Sequence, residues 1–367
     1  MSDEPPPWGE LIPWGELPPW PPQDPAIERS IREAIWDGRW GGYDGPDQQR
    51  VRDHLKQRTG RQHVRLMSSG SAALRWAIAA AGVGPDDAVA ICAFDYPGIL
   101  RAVELIGARP VLVDCEPDRP TMDPEKFAQV CKKQRITTVV ASHLFGVAAD
   151  LPALIAIARQ HDVVVVEDAC QSPGMTLQQT SAGGWGDLST WSFGGSKPIT
   201  AGSGGAILCD DPTFTSRLNR DLDRPSDASP LSGLQCAALV PQLETLNEQR
   251  DRRIETAECL RTQVQSFAPR RDSVPSYYKF PIRLRDNDQR ASVLQRAERA
   301  SLPMGEPFRA FGGRPSRRYE TPHPIQFAIE HSERTVLLDH RALMVPPTDR
   351  QRMIDAVGWC LASTSDQ

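Results

Sequence analysis

The chain has 367 residues, of which 40% are hydrophobic and 24% are charged, and this composition predicts a soluble globular protein of about two domains. A formal net charge of −5 argues against a nucleic-acid partner. No apolar run reaches the roughly 18 residues of a membrane span, and no secretion signal is visible at the N-terminus. We therefore expect a cytoplasmic protein without membrane association.

The eight cysteines and seven histidines do not form metal-ligand patterns. The cysteines are scattered singly, without a Cys-x-x-Cys pair, and no two histidines have a zinc-type spacing. We predict no metal site. Because most cysteines fall in apolar segments, we expect buried, reduced thiols.

Residues 1–25 form a first segment, rich in proline and tryptophan. It holds nine of the 33 prolines and three of the nine tryptophans, and the sequence Pro7–Leu11 recurs as Pro13–Leu17, with Pro19-Trp20 beginning a third copy. Proline excludes a regular helix or a central strand here. The segment is therefore either a disordered extended arm or an arm whose tryptophans dock on a neighbouring surface.

Residues 26–245 have the alternating pattern of an α/β domain. Short Val/Ile/Ala-rich strands alternate with helices, which is typical of a mainly parallel sheet sandwiched by helices. The predicted strands are His63–Met67, Ala88–Ala93, Pro110–Asp114, Thr137–Leu144, Val163–Glu167 and Ala206–Cys209. The predicted helices are Asp24–Trp36, Ser71–Ala81, Ile99–Ile106, Pro124–Lys132 and Leu151–His161. Ligands of such sheets bind beyond the carboxyl ends of the strands.

The remaining residues, 246–367, are predicted to form a smaller α+β domain. A polar loop at Asp221–Ser232 precedes one long helical stretch, Leu234–Phe267, which leads into this domain. Its first strand is predicted at Lys279–Leu284.

Lys197 and Asp168 are the candidate catalytic residues. Lys197 ends a small-residue turn, Ser192–Lys197, and Asp168 ends a buried strand. Pyridoxal 5'-phosphate (PLP) chemistry needs a lysine that forms a Schiff base with the cofactor aldehyde and an acid that pairs with the ring nitrogen. A surface charge for Lys197 and a turn-capping role for Asp168 are the alternatives.

Further candidates for cofactor binding follow other strands. Ser69, Gly70 and Ser71 open a helix whose N–H groups can bind a phosphate, although serine is also the ordinary helix N-cap. Ser192 can add a hydroxyl. Tyr96 follows a strand and can stack on a ring, with core packing as the alternative, which better suits Phe94.

Two more polar residues lie near these strand ends. Gln171 can donate to the cofactor's phenolic oxygen. His143 can line the cleft, but a lone histidine at such a position is more often a structural residue. Asp168 should share the face of Val166, so that its neighbour Glu167 points the other way.

Six motifs follow one another along the chain: Ser68–Leu74, Val113–Asp114, His143–Gly146, Val166–Gln171, Ser192–Lys197 and Gly202–Gly205. Their order and spacing resemble those of the DegT/DnrJ/EryC1/StrS family of sugar aminotransferases, which belong to the fold-type I class of PLP enzymes. The resemblance runs from about residue 36 to residue 249, and more weakly to the C-terminus.

The resemblance implies a role for each matching position. Lys197 would carry the internal aldimine and act as general base and acid, and Asp168 would hold the ring nitrogen. The residues implied for the rest of the cofactor are Gln171 at the phenolic oxygen, Gly70, Ser71 and Ser192 at the phosphate, and Tyr96 against the ring. The family also implies a homodimer that shares its active site.

Three departures from the family pattern concern the substrate side and the subunit contact. Asp227 stands nearest the position of an asparagine that family members donate to the neighbouring subunit's cofactor phosphate. Ser203 replaces an acidic residue. The family's His-Tyr-Pro substrate loop is missing. The arginines at 309, 314, 317 and 318 are a candidate site for a carboxylate or a nucleotide diphosphate, with a solvated basic surface as the alternative.

We therefore expect an aminotransferase that moves an amino group from glutamate or glutamine to a keto-sugar, nucleotide-linked or free, or to a keto-cyclitol. The alternatives are a PLP-binding regulatory protein without turnover and a PLP-dependent sugar dehydratase. Lys197 argues against the dehydratase, because such members of the family carry histidine at this position.

Overall fold

A computed structural model describes residues 17–42, 44–223, 230–313 and 316–362. The predicted positions Asp227 and Arg314 lie outside the described residues, as does the Pro-Trp repeat up to residue 16. The helices are α1 Pro25–Trp36, α2 Pro46–Thr59, α3 Gly70–Ala80, α4 Pro97–Ile106, α5 Pro124–Lys133, α6 Leu151–Gln160, α7 Pro212–Leu222, α8 Gly233–Glu244, α9 Leu246–Arg261, α10 Gln289–Arg299, α11 Gln326–Glu333 and α12 Pro347–Leu361.

A seven-stranded sheet forms the centre of the molecule. Its strands, in spatial order, are β1 His63–Met67, β9 Gly205–Cys209, β8 Leu188–Ser192, β5 Val164–Asp168, β4 Thr138–Ser142, β2 Ala88–Cys92 and β3 Arg109–Val113. Only β9 runs against the others, since it pairs antiparallel with both β1 and β8, while the remaining pairs are parallel. The predicted mainly parallel α/β fold is confirmed.

This topology gathers distant parts of the chain at one edge of the sheet. The carboxyl ends of the parallel strands meet there, together with the beginning of β9. The segments that follow β1, β2, β5 and β8, and the glycines before β9, therefore share that edge. The strands themselves are almost entirely buried, because helices cover both faces of a parallel sheet.

Two smaller sheets complete the strands. One joins β6 Thr176–Leu177, β7 Thr180–Ser181 and β10 Ser273–Val274, and the other joins β11 Lys279–Arg283, β12 Met304–Gly305 and β13 Thr335–Asp339. A second apolar core forms around β11, β13, α10 and α12. The core of the large sheet instead includes Ala310, Phe311, Tyr319, Ile325 and Ala328. The domain boundaries at residues 25 and 245 stay a prediction.

The long helical stretch predicted from Leu234 to Phe267 is wrong, because it is two helices. Pro241 lies inside α8 and has no N–H to donate to the carbonyl of Ala237. The hydroxyl of Ser30 donates to that carbonyl instead, at 2.7 Å, and so joins α1 to α8. The chain leaves the helix at Thr245, and α9 begins one residue later.

Two elements in this part of the chain are not anticipated by the apolar pattern. Helix α7 covers the first two residues of the loop predicted at Asp221–Ser232. Strand β8 has the sequence Leu-Ser-Thr-Trp-Ser and lacks a continuous apolar run, yet all five of its residues are buried. The hydroxyl groups of Ser189 and Thr190 are retained in the core because they bind carboxylates of β5.

Candidate active site

The candidate residues at the carboxyl edge of the sheet line one cavity of about 380 Å³. The predicted site residues Gly70, Ser71, Tyr96, Asp168, Gln171, Ser192 and Lys197 all border it. His143 does not line it. Four separate segments of the chain thus contribute the predicted residues to a single space.

Lys197 is held above an aromatic ring that the sequence analysis does not single out. The backbone N–H of Lys197 donates to the carbonyl of Gly194 at 2.9 Å, which closes the turn after β8. Its Nζ lies 4.2 Å from the centroid of the Tyr278 ring, and the Tyr278 hydroxyl lies 3.0 Å from Oγ of Ser196. The amine therefore has a defined place in the cavity wall.

Asp168 and Glu167 point to opposite sides of β5, as their alternation predicts. Oδ1 of Asp168 accepts hydrogen bonds from the N–H of Cys170 at 2.9 Å and from the hydroxyl of Thr190 at 3.3 Å. These contacts fix a carboxylate at the cavity wall, where it can pair with a cationic ring nitrogen.

Glu167 lies away from the cavity and is fully buried. Its Oε1 accepts from Gly183 N–H and from Nε2 of His143, at 2.5 and 3.1 Å. Its Oε2 accepts from Trp185 N–H, Gly186 N–H and the Ser189 hydroxyl, at 2.8, 3.0 and 3.0 Å. Burial alone would raise the pKa of Glu167, but the His143 ring and the backbone N–H groups outweigh it and lower the pKa to about 2.

His143 has a structural role and does not line the cavity. The Ala149 N–H donates to Nδ1 at 3.0 Å, so that Nε2 carries the proton and donates to Glu167. The imidazole is fully buried, and its role is to hold the Glu167 carboxylate.

A strained residue orients Gln171. Phe145 has a left-handed backbone conformation, with φ of 60°, which is unusual for a bulky residue. Its N–H donates to Oε1 of Gln171 at 3.0 Å. Since the oxygen of the amide is occupied there, the Nε2 group of Gln171 is the end that can donate to a ligand.

The start of α3 is suited to an anion. The Ser69 side chain caps the helix by accepting from Ala72 N–H at 3.1 Å, so the hydroxyl of Ser71 is left for the cavity. A Cβ on Gly70 would lie 2.6 Å from Cβ of Ser192, and only glycine allows these two segments to approach so closely. The helix N-terminus and the hydroxyls of Ser71 and Ser192 are thus arranged as groups that can bind an anion.

Tyr96 covers the cavity from the end of β2. Its side chain is 39% exposed, its hydroxyl lies 3.5 Å from Oγ of Ser71, and its ring meets the Phe308 ring edge-on at 5.6 Å. Phe94, two residues earlier, is fully buried in the core. The ring of Tyr96 has room because residue 98 is glycine: a Cβ there would lie 2.2 Å from Cε1 of Tyr96.

The family model of the DegT/DnrJ/EryC1/StrS aminotransferase family matches residues 23–357. The chain belongs to this family. Its members are PLP-dependent, and the cavity described above fits that cofactor, because it combines a lysine amine, a fixed carboxylate and an anion cradle. The predicted family, cofactor and aminotransferase activity are confirmed.

Relatives within the family differ in the extent of the match. GDP-perosamine synthase of Caulobacter vibrioides is 33% identical over 159 residues, or 43% of either chain. L-glutamine:2-deoxy-scyllo-inosose aminotransferase of Micromonospora echinospora is 28% identical over 401 aligned positions, or 95% of either chain. The crystal structure of 3-amino-5-hydroxybenzoic acid synthase has a TM-score of 0.81 at 25% identity, covering 94% of this chain and 98% of the other.

The arginines proposed for a substrate anion do not gather at the cavity. Arg318 makes two hydrogen bonds of 2.6 Å to Glu104, beside Arg317 and Arg109 at the beginning of β3. That is the opposite end of the sheet from the active site, so the predicted cluster is wrong for these two residues. Arg309 is exposed, while its neighbour Phe308 borders the cavity.

Three residues of the cavity wall are missed as site residues by the sequence analysis. They are Cys170, Tyr278 and Phe308. Tyr278 precedes β11, and an aromatic residue at a strand end is the signal that finds Tyr96 at the end of β2. Nothing local indicates that β11, far along the chain, lies beside Lys197. Ser203, which departs from the family pattern, also borders the cavity, and its hydroxyl donates to the Ser68 carbonyl.

No group of three histidine, cysteine, aspartate or glutamate side chains within the described residues is arranged to hold a metal ion. None of the helices in that part of the chain has both the length and the apolar character needed to cross a bilayer. All eight cysteines are free thiols, five of them buried.

We expect Glu167→Gln to lower the free energy of unfolding by about 3 kcal/mol at pH 7, because either orientation of the amide turns its NH₂ group towards at least two donors. The folded pKa of about 2 lies below the ordinary value of 4.5, so the stabilisation is complete above pH 4.5 and is lost between pH 4.5 and 2. The difference between the variant and the wild type should therefore shrink on acidification. Urea denaturation at pH 7 and pH 3 measures both effects, and an unchanged difference at pH 3 would contradict this account.

We expect Gly98→Ala to weaken PLP binding by about tenfold, an effect of about 1.4 kcal/mol, because the new methyl group displaces the Tyr96 ring. Thermal stability should not fall, since Gly98 lies in α4 and alanine favours a helix. Gly358→Ala is the matched control: Gly358 lies in α12 and has open space at its Cβ position. Equal PLP affinity in both variants, measured by fluorescence titration, would remove Tyr96 from the site.

Proposed function

We propose that the chain transfers an amino group from glutamine or glutamate to the keto group of a sugar, free or nucleotide-linked, or of a cyclitol, with Lys197 as the catalytic residue. The observation that carries this proposal is the convergence of the Lys197 amine, the Asp168 carboxylate and the N-terminus of α3 on one cavity. When bound, PLP supplies an electron sink for the charge that develops at the donor's α-carbon.

Lys197 has two functions in this proposal. Its Nζ is the amine that would hold the aldehyde carbon of the cofactor until an amino donor replaces it. As a free amine, Nζ would accept the proton of the donor's α-carbon and return a proton to the acceptor carbon. The ring of Tyr278, 4.2 Å below the amine, keeps Nζ within reach of both positions.

The other side chains hold the cofactor in the orientation that this proton transfer needs. Asp168 pairs with the ring nitrogen and keeps it protonated. Nε2 of Gln171 donates to the phenolic oxygen, and the N-terminus of α3 binds the phosphate together with Ser71 and Ser192. Tyr96 packs on the face of the ring.

The class of acceptor is supported by the relatives and by the cavity. One relative is named for a GDP-linked amino sugar and another for a cyclitol ketone. The wall of the same cavity carries Tyr96 and Phe308, whose ring centroids lie 5.6 Å apart. Aromatic faces of this kind suit the apolar face of a sugar or cyclitol ring.

The test is a two-stage reaction with purified protein. PLP is added, and glutamine or glutamate should convert its absorbance to that of the amine form; a panel of keto-inositols and nucleotide-linked keto-sugars should then restore it. Lys197→Ala should abolish the covalent attachment of PLP that borohydride reduction traps in the wild type, and lower activity by several orders of magnitude. Lys132→Ala, which removes an exposed lysine of α5, is the control.

Two outcomes would contradict the proposal. Covalent attachment of PLP to Lys197→Ala after borohydride reduction would show that another amine binds the cofactor. Retention of PLP without conversion by any amino donor would favour a regulatory protein without turnover.

We also propose that the protein is a cytoplasmic homodimer. In support of a subunit contact, α1 carries the exposed apolar side chains of Trp36 and Ile35, which are 90% and 53% exposed. Sedimentation of the wild type should give twice the 40.5 kDa mass of the chain. Trp36→Glu should shift the equilibrium towards monomer, whereas Lys132→Glu, which changes an exposed side chain of α5, should not. A wild type that remains monomeric at micromolar concentration would count against the dimer.

A further inference from the structure

The turn that carries Lys197 is partly exposed and contains two consecutive glycines, Gly194 and Gly195. Its ends are fixed, because Ala201 N–H donates to the Phe193 carbonyl and Lys197 N–H to the Gly194 carbonyl. Glycine has more backbone freedom than any other residue, so the tip of the turn needs further contacts to keep one conformation.

Trp20 of the N-terminal arm supplies such a contact. Its Nε1 donates to the Gly195 carbonyl at 2.7 Å, and the two residues are 175 positions apart in the chain. The same indole meets the ring of His340 edge-on, with centroids 4.5 Å apart and an interplanar angle of 88°. Trp20 thus joins the turn to the residue that follows β13.

A series of aromatic contacts continues from His340 to the lysine. The ring of His340 lies 6.2 Å from that of Tyr278, whose hydroxyl contacts Ser196 and whose face lies against Nζ of Lys197. His340 is only 2% exposed and forms a firm base for the indole. The turn is therefore held on one side by Trp20 and on the other by Tyr278.

The arm is fixed on both sides of Trp20. Leu17 packs against the second apolar core. Asp24 caps α1 by accepting from Ala26 N–H at 2.7 Å, and Ser30 attaches α1 to α8. The segment between Leu17 and Asp24 consequently runs from one core to the other, across the turn.

We propose that Trp20 is a positioning residue for Lys197. The N-terminal arm places the Trp20 indole over the turn that carries Lys197. The inference rests on the function proposed above for Lys197. The indole N–H restricts the Gly195 peptide, and the ring seated on His340 keeps the N–H in place. Without Trp20, the turn opens more often and the amine of Lys197 reaches the cofactor aldehyde less often.

The repeat in the arm gives this assignment a matched control. Trp20 belongs to the third Pro-Trp copy, while Trp14 stands in the same dipeptide one copy earlier, outside the described residues. Three variants are compared. Trp20→Phe keeps an aromatic ring but removes the N–H donor, and Trp20→Ala removes both. Trp14→Ala removes the indole of the previous copy.

The first measurement is hydrogen exchange of the 193–203 peptide in the protein without cofactor. We expect Trp20→Phe to exchange about fivefold faster than the wild type, since a hydrogen bond of this kind contributes about 1 kcal/mol, and Trp20→Ala at least as fast. Trp14→Ala should match the wild type. Equal exchange in Trp20→Phe and the wild type would overturn the proposal, and so would an equal effect of Trp14→Ala.

The second measurement is the rate at which added PLP forms a bond to Lys197 that borohydride reduction can trap. The rate should fall in the order wild type, Trp20→Phe, Trp20→Ala, with circular dichroism showing that each variant is folded. If Trp20→Ala fails to fold, Trp20→Phe decides the result. A wild type that forms no such bond would contradict the function proposed for Lys197, whereas the exchange data would still test Trp20.

Discussion

The buried carboxylate of Glu167 is the constraint on which the centre of this protein depends. A charge so far from water is stable only when donors surround it, and five do so here. They come from the end of β4, from the loop before β8 and from β8 itself. Because one charge fixes all three segments, the strands around it can be placed accurately enough to hold a cofactor on their other side.

Two adjacent carboxylates therefore do different work. Glu167 organises the protein, and its neighbour Asp168 faces the cavity. The division follows from the pleat of β5, which turns successive side chains to opposite faces. Neighbouring residues also have different roles after β4. His143 donates a hydrogen bond to Glu167, while Phe145 adopts a strained backbone conformation that orients Gln171.

The sequence predicts those parts of the fold and site whose signals are local. The apolar strands and the turn at Gly70 that opens α3 are recognised from neighbouring residues, and so is the position of Lys197 after a small-residue turn. Strand β8 is not recognised, because its serine and threonine residues are explained only by carboxylates on another strand. Tyr278 contacts the lysine through tertiary packing. Arg317 and Arg318 are placed wrongly since adjacency in sequence does not tell at which end of a sheet a loop lies.

The pairing of β8 with β5 has a consequence for how this chain can vary. Ser189 lies opposite Glu167, and Thr190 lies opposite Asp168, and each hydroxyl binds the carboxylate that it faces. A shift of one residue would turn each hydroxyl to the wrong face and bring Trp191 opposite Asp168. The hydrogen bonds to Glu167 and Asp168 thus stabilise only the observed register of β8 against β5. Insertions and deletions should therefore be excluded within either strand, however conservative their composition.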